Sequence, residues 1–313
     1  ATPRNLPVLL ITRFDQDLGA LRKRVEESLN ILVQQTYIKR NEELYEYLTD
    51  KERDIEAEIK EQDVDPQAIN DQMVNMFFTT ALNLNKIRYE KNGQDFPFTK
   101  RLDHQTFGKE NELGIHILTV AQAKESLRAM SLQKDDLVLL IPDDALFYTD
   151  IKLFLQTDTY VKQNGSNGRT SEEIAIVTDK SHQNQTRFER IKRRASELLG
   201  QAQMYVGGDD VLTEIADPKM RISLGFQKLI QKVYPNLEML GEARYDEKDI
   251  AKHLRSGKES LDDLIIQQSA SESEILSFVT RNKNDGIRTT LTSVLESFEK
   301  KPNGWSYASI LCM

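Results

Sequence analysis

The chain has 313 residues, 39% of them hydrophobic and 29% charged, and a formal net charge of -8. That length supports about two to three domains with real cores; no apolar run approaches the roughly 20 residues of a membrane helix, and the opening ATPRNLPVLLIT is too weakly basic and too briefly apolar for a signal peptide. The acidic balance argues against a protein that coats nucleic acid indiscriminately, though it leaves room for a local basic patch; the single cysteine, Cys312, excludes an internal disulfide and a cysteine-based zinc site and fits a reducing cytoplasm.

Leu18, Leu21, Val25, Leu29, Leu32 and Val33 recur at helical spacing and predict one amphipathic helix. YIKRNEELYEYL then reads as a short hairpin, two β-prone runs around Asn41, Glu42 and Glu43. Thr49 and Glu52 form a capping box for a helix that buries Ile55 and Ile59. Helix, hairpin, helix is the order of a winged-helix-like unit, expected over residues 1–64 with Tyr45 or Tyr47 packed on Leu29 and Leu32. Asp65 followed by Pro66 caps and opens a further helix that buries Ile69, Met73, Met76, Phe77 and Leu84.

From Ile87 the period changes. IRYEKNGQDFPF predicts two strands around Asn92 and Gly93, and LGIHILTV and LVLLI predict two more, separated by a helix near residues 121–130. A small sheet with helices packed on it is expected, so residues 65–164 read as a small α/β domain. Helical patterns resume over 145–163 and, after the loop QNGSNGRTS, in a long helix to about residue 203; MYVGGDDVL is a tight hairpin and Asp217 with Pro218 starts another helix. These give a long-helix and helical domain over 165–257. SASESEILSFVTRN and RTTLTSVLESFEKK predict two amphipathic helices joined at Asp285 and Gly286, the start of a truncated C-terminal helical or winged-helix unit over 258–313. The fold class expected is mixed α/β, predominantly helical. The start at Ala1, and an end inside the apolar pattern of Trp305, Tyr307, Ile310 and Leu311, suggest a piece of a longer protein.

LVLLIPDD, five apolar residues running through Pro142 into Asp143 and Asp144, has the look of the metal-binding strand of a P-loop nucleotidase. Such a site also needs Gly, four residues, then Gly-Lys-Ser/Thr, so that backbone N–H groups surround the phosphates. No such string occurs; GSNGRTS, from Gly165, has the wrong glycine spacing, carries Arg for Lys, and lies on the wrong side of the strand. The simpler reading is a buried strand stopped by Pro142, with Asp143 or Asp144 capping the next helix. His104, His116, His182 and His253 show no ligand spacing, His116 is expected to be packed within its strand, and no Gly-x-Ser-x-Gly elbow occurs. Neither catalytic residues nor cofactor-binding or metal-binding residues are expected.

Residues 15–63 hold 14 acids against 8 bases, which opposes a DNA-reading role for the winged unit. KSHQNQTRFERIKRR, residues 180–194, has six bases and one acid. Arg187, Arg190 and Arg194 recur at helical spacing on one face with Lys180 a few turns earlier, and Lys192 and Arg193 lie beside them. This helix is either a solvated face or, if DNA is contacted at all, the place where it is contacted.

Several strings together, LYEYLTDKERDIEAEIKEQDVD, QDFPFTKRLD, LLIPDDALFYTDIKLFLQTDTYVKQ, YPNLEML, ESLDDLI and FEKKPNGWSYASILC, resemble the large P-loop protein of bacteriophage-exclusion (BREX) systems, the BrxC/PglY family. The likeness runs nearly end to end in the same order. It implies very long cytoplasmic proteins with an N-terminal AAA-type ATPase domain, using ATP and Mg, forming a homo-oligomer through that domain, and acting in antiviral defence beside the adenine methyltransferase PglX, the phosphatase-like PglZ and BrxB. It further implies that this chain lies downstream of the ATPase domain, as a non-catalytic scaffold or, alternatively, a nucleic-acid-binding module. No nucleotide-contacting residue of the family maps onto any position here.

Overall fold

A computed structural model describes residues 2, 5–13, 17–35, 37–41, 44–164, 170–242, 245–256 and 269–313. The turn at Glu42 and Glu43, the loop around Gly165, the string ESLDDLI and the side chain of His253 lie outside the described residues.

α1 (Asn5–Leu9) is short, and Asp17 caps α2 (Leu18–Gln34) by accepting from the Gly19 and Ala20 amides. β1 (Ile38–Asn41) and β2 (Leu44–Tyr47) pair antiparallel, Ile38 opposite Tyr47. The reciprocal box of Thr49 and Glu52 satisfies two amides at the start of α3 (Asp50–Lys60); Asp65 accepts from the Gln67 amide at the start of α4 (Pro66–Val74), with Pro66 at the first helical position. The chain then widens into a π-helical stretch, Asn75–Leu82, that buries Met76, Phe77, Phe78 and Leu82. β3 (Lys86–Arg88), β4 (Asp95–Leu102), β5 (Gln105–Phe107), β6 (Leu113–Leu118), α5 (Lys124–Gln133) and β7 (Asp136–Leu140) follow. Next come two long helices, α6 (Ala145–Asn164) and α7 (Ser171–Gln201), and the hairpin of β8 (Gln203–Val206) and β9 (Asp209–Asp210). Gly207 and Gly208, at φ 51° and 90°, supply the left-handed turn of that hairpin, which side-chain-bearing residues rarely adopt. α8 (Pro218–Val233), a 3-10 turn (Pro235–Leu240), α9 (Glu247–Ser256), α10 (Ala270–Asn284), α11 (Leu291–Phe298) and α12 (Tyr307–Leu311) complete the described elements.

Two compact units share these elements: Ala1–Met76 with Asp144–Ala195, and Phe77–Asp143 with Ser196–Met313. The first is helical apart from the β1–β2 hairpin. Leu21, Val25, Leu29, Ile38 and Tyr45 make one of its clusters, with Leu6 and Val33 packed on the edge. Ile55, Ile59, Tyr160 and Val177 make another, in which Tyr160 donates to Glu58. The expected helix, hairpin, helix order is present with Tyr45 in the cluster of Leu29, whereas Leu32 faces outward and Tyr47 is 87% exposed.

The second unit is built on a mixed sheet in the order β3-β4-β6-β7-β8-β9, with β5 also pairing β4. β4, β6 and β7 run parallel; β8 joins β7 antiparallel. β3 pairs residues 95–97 of β4 and β5 pairs residues 100–102, so the two short strands share one edge and seven strands fill six positions. One face carries Phe98, Ile115, Ile117, Leu137, Leu139 and Met204, all buried, and Phe226 of α8 sits against Phe98 with ring centroids 5.8 Å apart. Gly225 lets α8 approach, since a Cβ there would lie 2.9 Å from Leu137. On the other face Leu118, Leu127, Val138 and Tyr205 cluster beneath α5.

The boundaries expected at 64/65, 164/165 and 257/258 do not coincide with these units. The hairpin at 203–210 joins the strands of 86–140 in one sheet, and the last described residues pack with that sheet rather than apart from it. Trp305 is buried, stacks on Phe298 at 4.9 Å and donates from Nε1 to the Asn236 carbonyl. The architecture is mixed α/β and predominantly helical. Among the described residues no helix is long and apolar enough to cross a membrane.

Candidate functional site

The basic helix face is the first place to look. Lys180 is only 2% exposed, and its ammonium pairs with Glu56 of α3. Arg187 is half-buried; it donates to Asn184 Oδ1 at 2.6 Å, and burial pulls its pKa down against the opposing pull of Asp150 and Glu56. Arg190 holds both oxygens of Asp150, at 2.8 and 3.0 Å. Arg194 pairs with Asp144. Lys192 bonds Glu189 at 2.9 Å, and Arg193 is exposed. Of the face that helical spacing groups, Lys180 is enclosed, while Arg190 and Arg194 remain 39% and 47% exposed as they pair with carboxylates of the same unit. Lys180 lies against Glu56 of α3 because a buried cation is tolerated only beside a counter-charge, whereas Arg190 and Arg194 meet Asp150 of α6 and its cap Asp144 nearer the surface.

The same partnership explains LVLLIPDD. β7 carries the apolar run, and Asp144, not Asp143, caps α6: its Oδ1 accepts from the Leu146 and Phe147 amides, both at 3.1 Å. Its other oxygen faces Arg194. Both oxygens of the carboxylate that looked like a metal ligand are engaged within the protein.

A polar cluster that the sequence did not announce lies on the α5 side of the sheet. Arg101 on β4 and Asp136 on β7 meet at 3.0 Å across β6, at Gly114. A Cβ at Gly114 would overlap the Asp136 carboxylate, so the missing side chain is what lets charges on the flanking strands touch. The neighbouring register position holds His116, buried and bonded through Nε2 to the Asp103 carbonyl; the Asp103 carboxylate accepts from the amide and hydroxyl of Thr119 at 2.8 Å. The one sequence signal was a glycine inside a strand.

His116 faces Asp136, Arg101 and Lys134 as well as that carbonyl, and burial lowers its pKa below the ordinary 6.5. The unfolded chain therefore binds this proton more readily than the folded one, so stability rises with pH through the window below 6.5 and is lost as pH falls through it. Denaturation midpoints measured across a pH series are expected to drop more steeply below about 6.5 in the parent than in His116→Gln. Equal slopes would show that the imidazole is not the titrating group.

His104 and His182 are exposed. Among the described residues no group of His, Cys, Asp and Glu could hold a metal ion. A cavity of about 620 Å³ in the sheet unit is lined by Arg88, Gln94, Asp95, Tyr245, Asp249 and Tyr307. Its arginine is already committed: Arg88 and Lys86 together hold the Asp95 carboxyl down at a pKa of about 2.

No solved structure matches the chain. A family model does, over residues 62–229: the BREX ATP-binding protein BrxC fourth domain with six-stranded beta sheet. The match takes in all seven strands of the large sheet, whose six positions agree with that description, together with the inserted pair α6 and α7. It covers more than half of the chain, and the chain belongs to the BrxC family of BREX phage-defence proteins.

Proposed function

We propose that this chain serves its phage-defence system as a non-catalytic scaffold and interaction segment of the BrxC ATPase. In this reading ATP and Mg are handled by a P-loop elsewhere in the BrxC polypeptide. The helices and sheet described here hold surfaces for the system's other proteins, PglX, PglZ and BrxB. The observation that carries it is Asp144: the acid at the end of the one strand resembling a nucleotide site is consumed as a helix cap and as the partner of Arg194. A phosphoryl-transfer site needs such a carboxylate free to orient Mg and needs a glycine-rich cradle for the phosphates. The scaffold reading is preferred to a nucleic-acid one because Lys180, Arg190 and Arg194 of α7 already pair with carboxylates of the same unit.

Titration of the purified chain with a fluorescent ATP analogue, with and without Mg, tests the proposal. No saturable signal is expected. Micromolar, Mg-dependent binding would overturn the non-catalytic reading and return Asp143 and Asp144 to the nucleotide.

A further inference from the structure

The cavity of about 620 Å³ in the sheet unit holds hydrogen-bonding groups that the fold leaves unused. Asn92 lines it and is only 5% exposed. Its Oδ1 accepts from the Gln94 amide at 3.0 Å, within the turn between β3 and β4. Its side-chain N–H groups meet no acceptor among the described residues. Gln94, beside it in the lining, donates to the Gly304 carbonyl at 2.8 Å, and its Oε1 is buried without a donor among the described residues. Buried amides are as a rule satisfied on both sides, so two half-used ones in one cavity point to a missing partner.

The rest of the lining sets the sign of that partner. Asp95 is neutralised by Arg88 and Lys86. Asp246, Glu247 and Asp249 are not: Asp246 and Asp249 accept from backbone amides at the start of α9, at 2.8 and 2.9 Å, and none of the three meets a lysine or arginine among the described residues. Capping accounts for two carboxylates at a helix start, but not for the open amide across the same cavity. Burial, and next Glu272, Cys312 and Asp249, raise the pKa of Tyr245, so its hydroxyl keeps its proton. Tyr245 and Tyr307 also bring aromatic rings to the lining. A guanidinium suits all of this, because it forks onto carboxylates, is attracted to aromatic faces and is weakly hydrated. The peptide carbonyl next to such a side chain would take the Asn92 amide, and the volume lies within the roughly 300–1,000 Å³ of sites that enclose a small ligand. We propose that this cavity receives an arginine side chain of a protein partner, an inference that rests on reading the chain as an interaction segment. A nucleic acid is repelled by the same carboxylates.

Calorimetric titration of the 313-residue chain with the peptide acetyl-Gly-Arg-Gly-amide at low salt tests this. One-to-one binding with a Kd at or below about 1 mM is expected, at least about tenfold tighter than for the same peptide with neutral, isosteric citrulline. Asp246→Asn, Glu247→Gln and Asp249→Asn together remove the charges while keeping the caps, since asparagine caps as well as aspartate, and are expected to abolish binding. Glu26, Glu27 and Glu61, all exposed, changed alike to glutamine lower the net charge equally and are expected to leave it intact. No saturable binding, equal binding of the citrulline peptide, or equal loss in the two variants overturns the proposal. So does a lysine peptide or spermidine that binds as tightly as the arginine peptide. The comparison of arginine with citrulline uses the unsubstituted chain, so it decides the matter even if a variant fails to fold. Mg-dependent ATP binding would instead overturn the scaffold reading, which tells the two failures apart.

Discussion

Glu56→Ala is expected to cost about 3–5 kcal/mol of folding stability, more than any surface charge change, because it strands the Lys180 ammonium without its partner. Lys180 is almost wholly enclosed, and Glu56 is itself largely covered. Lys60, also packed there, carries the same sign and has its own pKa lowered by burial, so it adds to the charge that Glu56 offsets. Chemical denaturation of the helical unit, followed by far-UV circular dichroism, measures the loss. The double variant Glu56→Leu with Lys180→Met separates pair from packing. Apolar residues of similar volume often match a buried ion pair, so the double variant is expected to regain most of the stability. A single variant that loses less than about 1 kcal/mol would place the pair among solvent-screened contacts.

Trp305→Ala is the second large effect expected, about 3–5 kcal/mol, although the residue lies far beyond the end of the matched domain at 229. The indole is 1% exposed, stacked on Phe298 and bonded to the Asn236 carbonyl, so truncation opens a cavity and leaves a carbonyl without its donor. Around it, Gln94 donates to the Gly304 carbonyl and Lys301 pairs with Asp135, two links from the C-terminal residues back to the strands. Calorimetry is expected to show the sheet unit's transition lowered on the order of 10 °C. If the sheet unfolds unchanged while only the last helices melt, the C-terminal residues are an appendage and not part of that core.

What could be read from sequence was what neighbouring residues decide among themselves. The caps at Thr49, Asp65 and Asp217 are visible because donor and acceptor are two or three residues apart. The strands LGIHILTV and LVLLI are visible because both faces are covered and every position is apolar or nearly so. The three-residue β5 was missed because a strand that short has no pattern to show. The ion pairs of the basic face were hidden for a different reason. Helical spacing placed Lys180, Arg187, Arg190 and Arg194 together correctly, but their partners lie 124 residues away at Glu56, 40 at Asp150 and 50 at Asp144. Spacing along one helix tells which side chains travel together; it carries nothing about what meets them. The role of Gly114 was hidden likewise, since its reason for being small is a charge pair carried by two other strands.

The pairing of Arg194 with Asp144 has a consequence for the chain entropy of the sheet. β8 must find β7 although Leu139 and Met204, opposite each other in the ladder, are separated by the whole of α6 and α7. Closing so long a loop from a disordered chain costs about 3–4 kcal/mol of entropy. Asp144 precedes α6 and Arg194 lies near the end of α7, so their ion pair ties the open end of the helical pair. Once that tie forms, only a handful of residues on each side remain between the knot and the two strands. With the tie in place the insertion counts, in loop-closure terms, as a short connection between β7 and β8 rather than a long excursion.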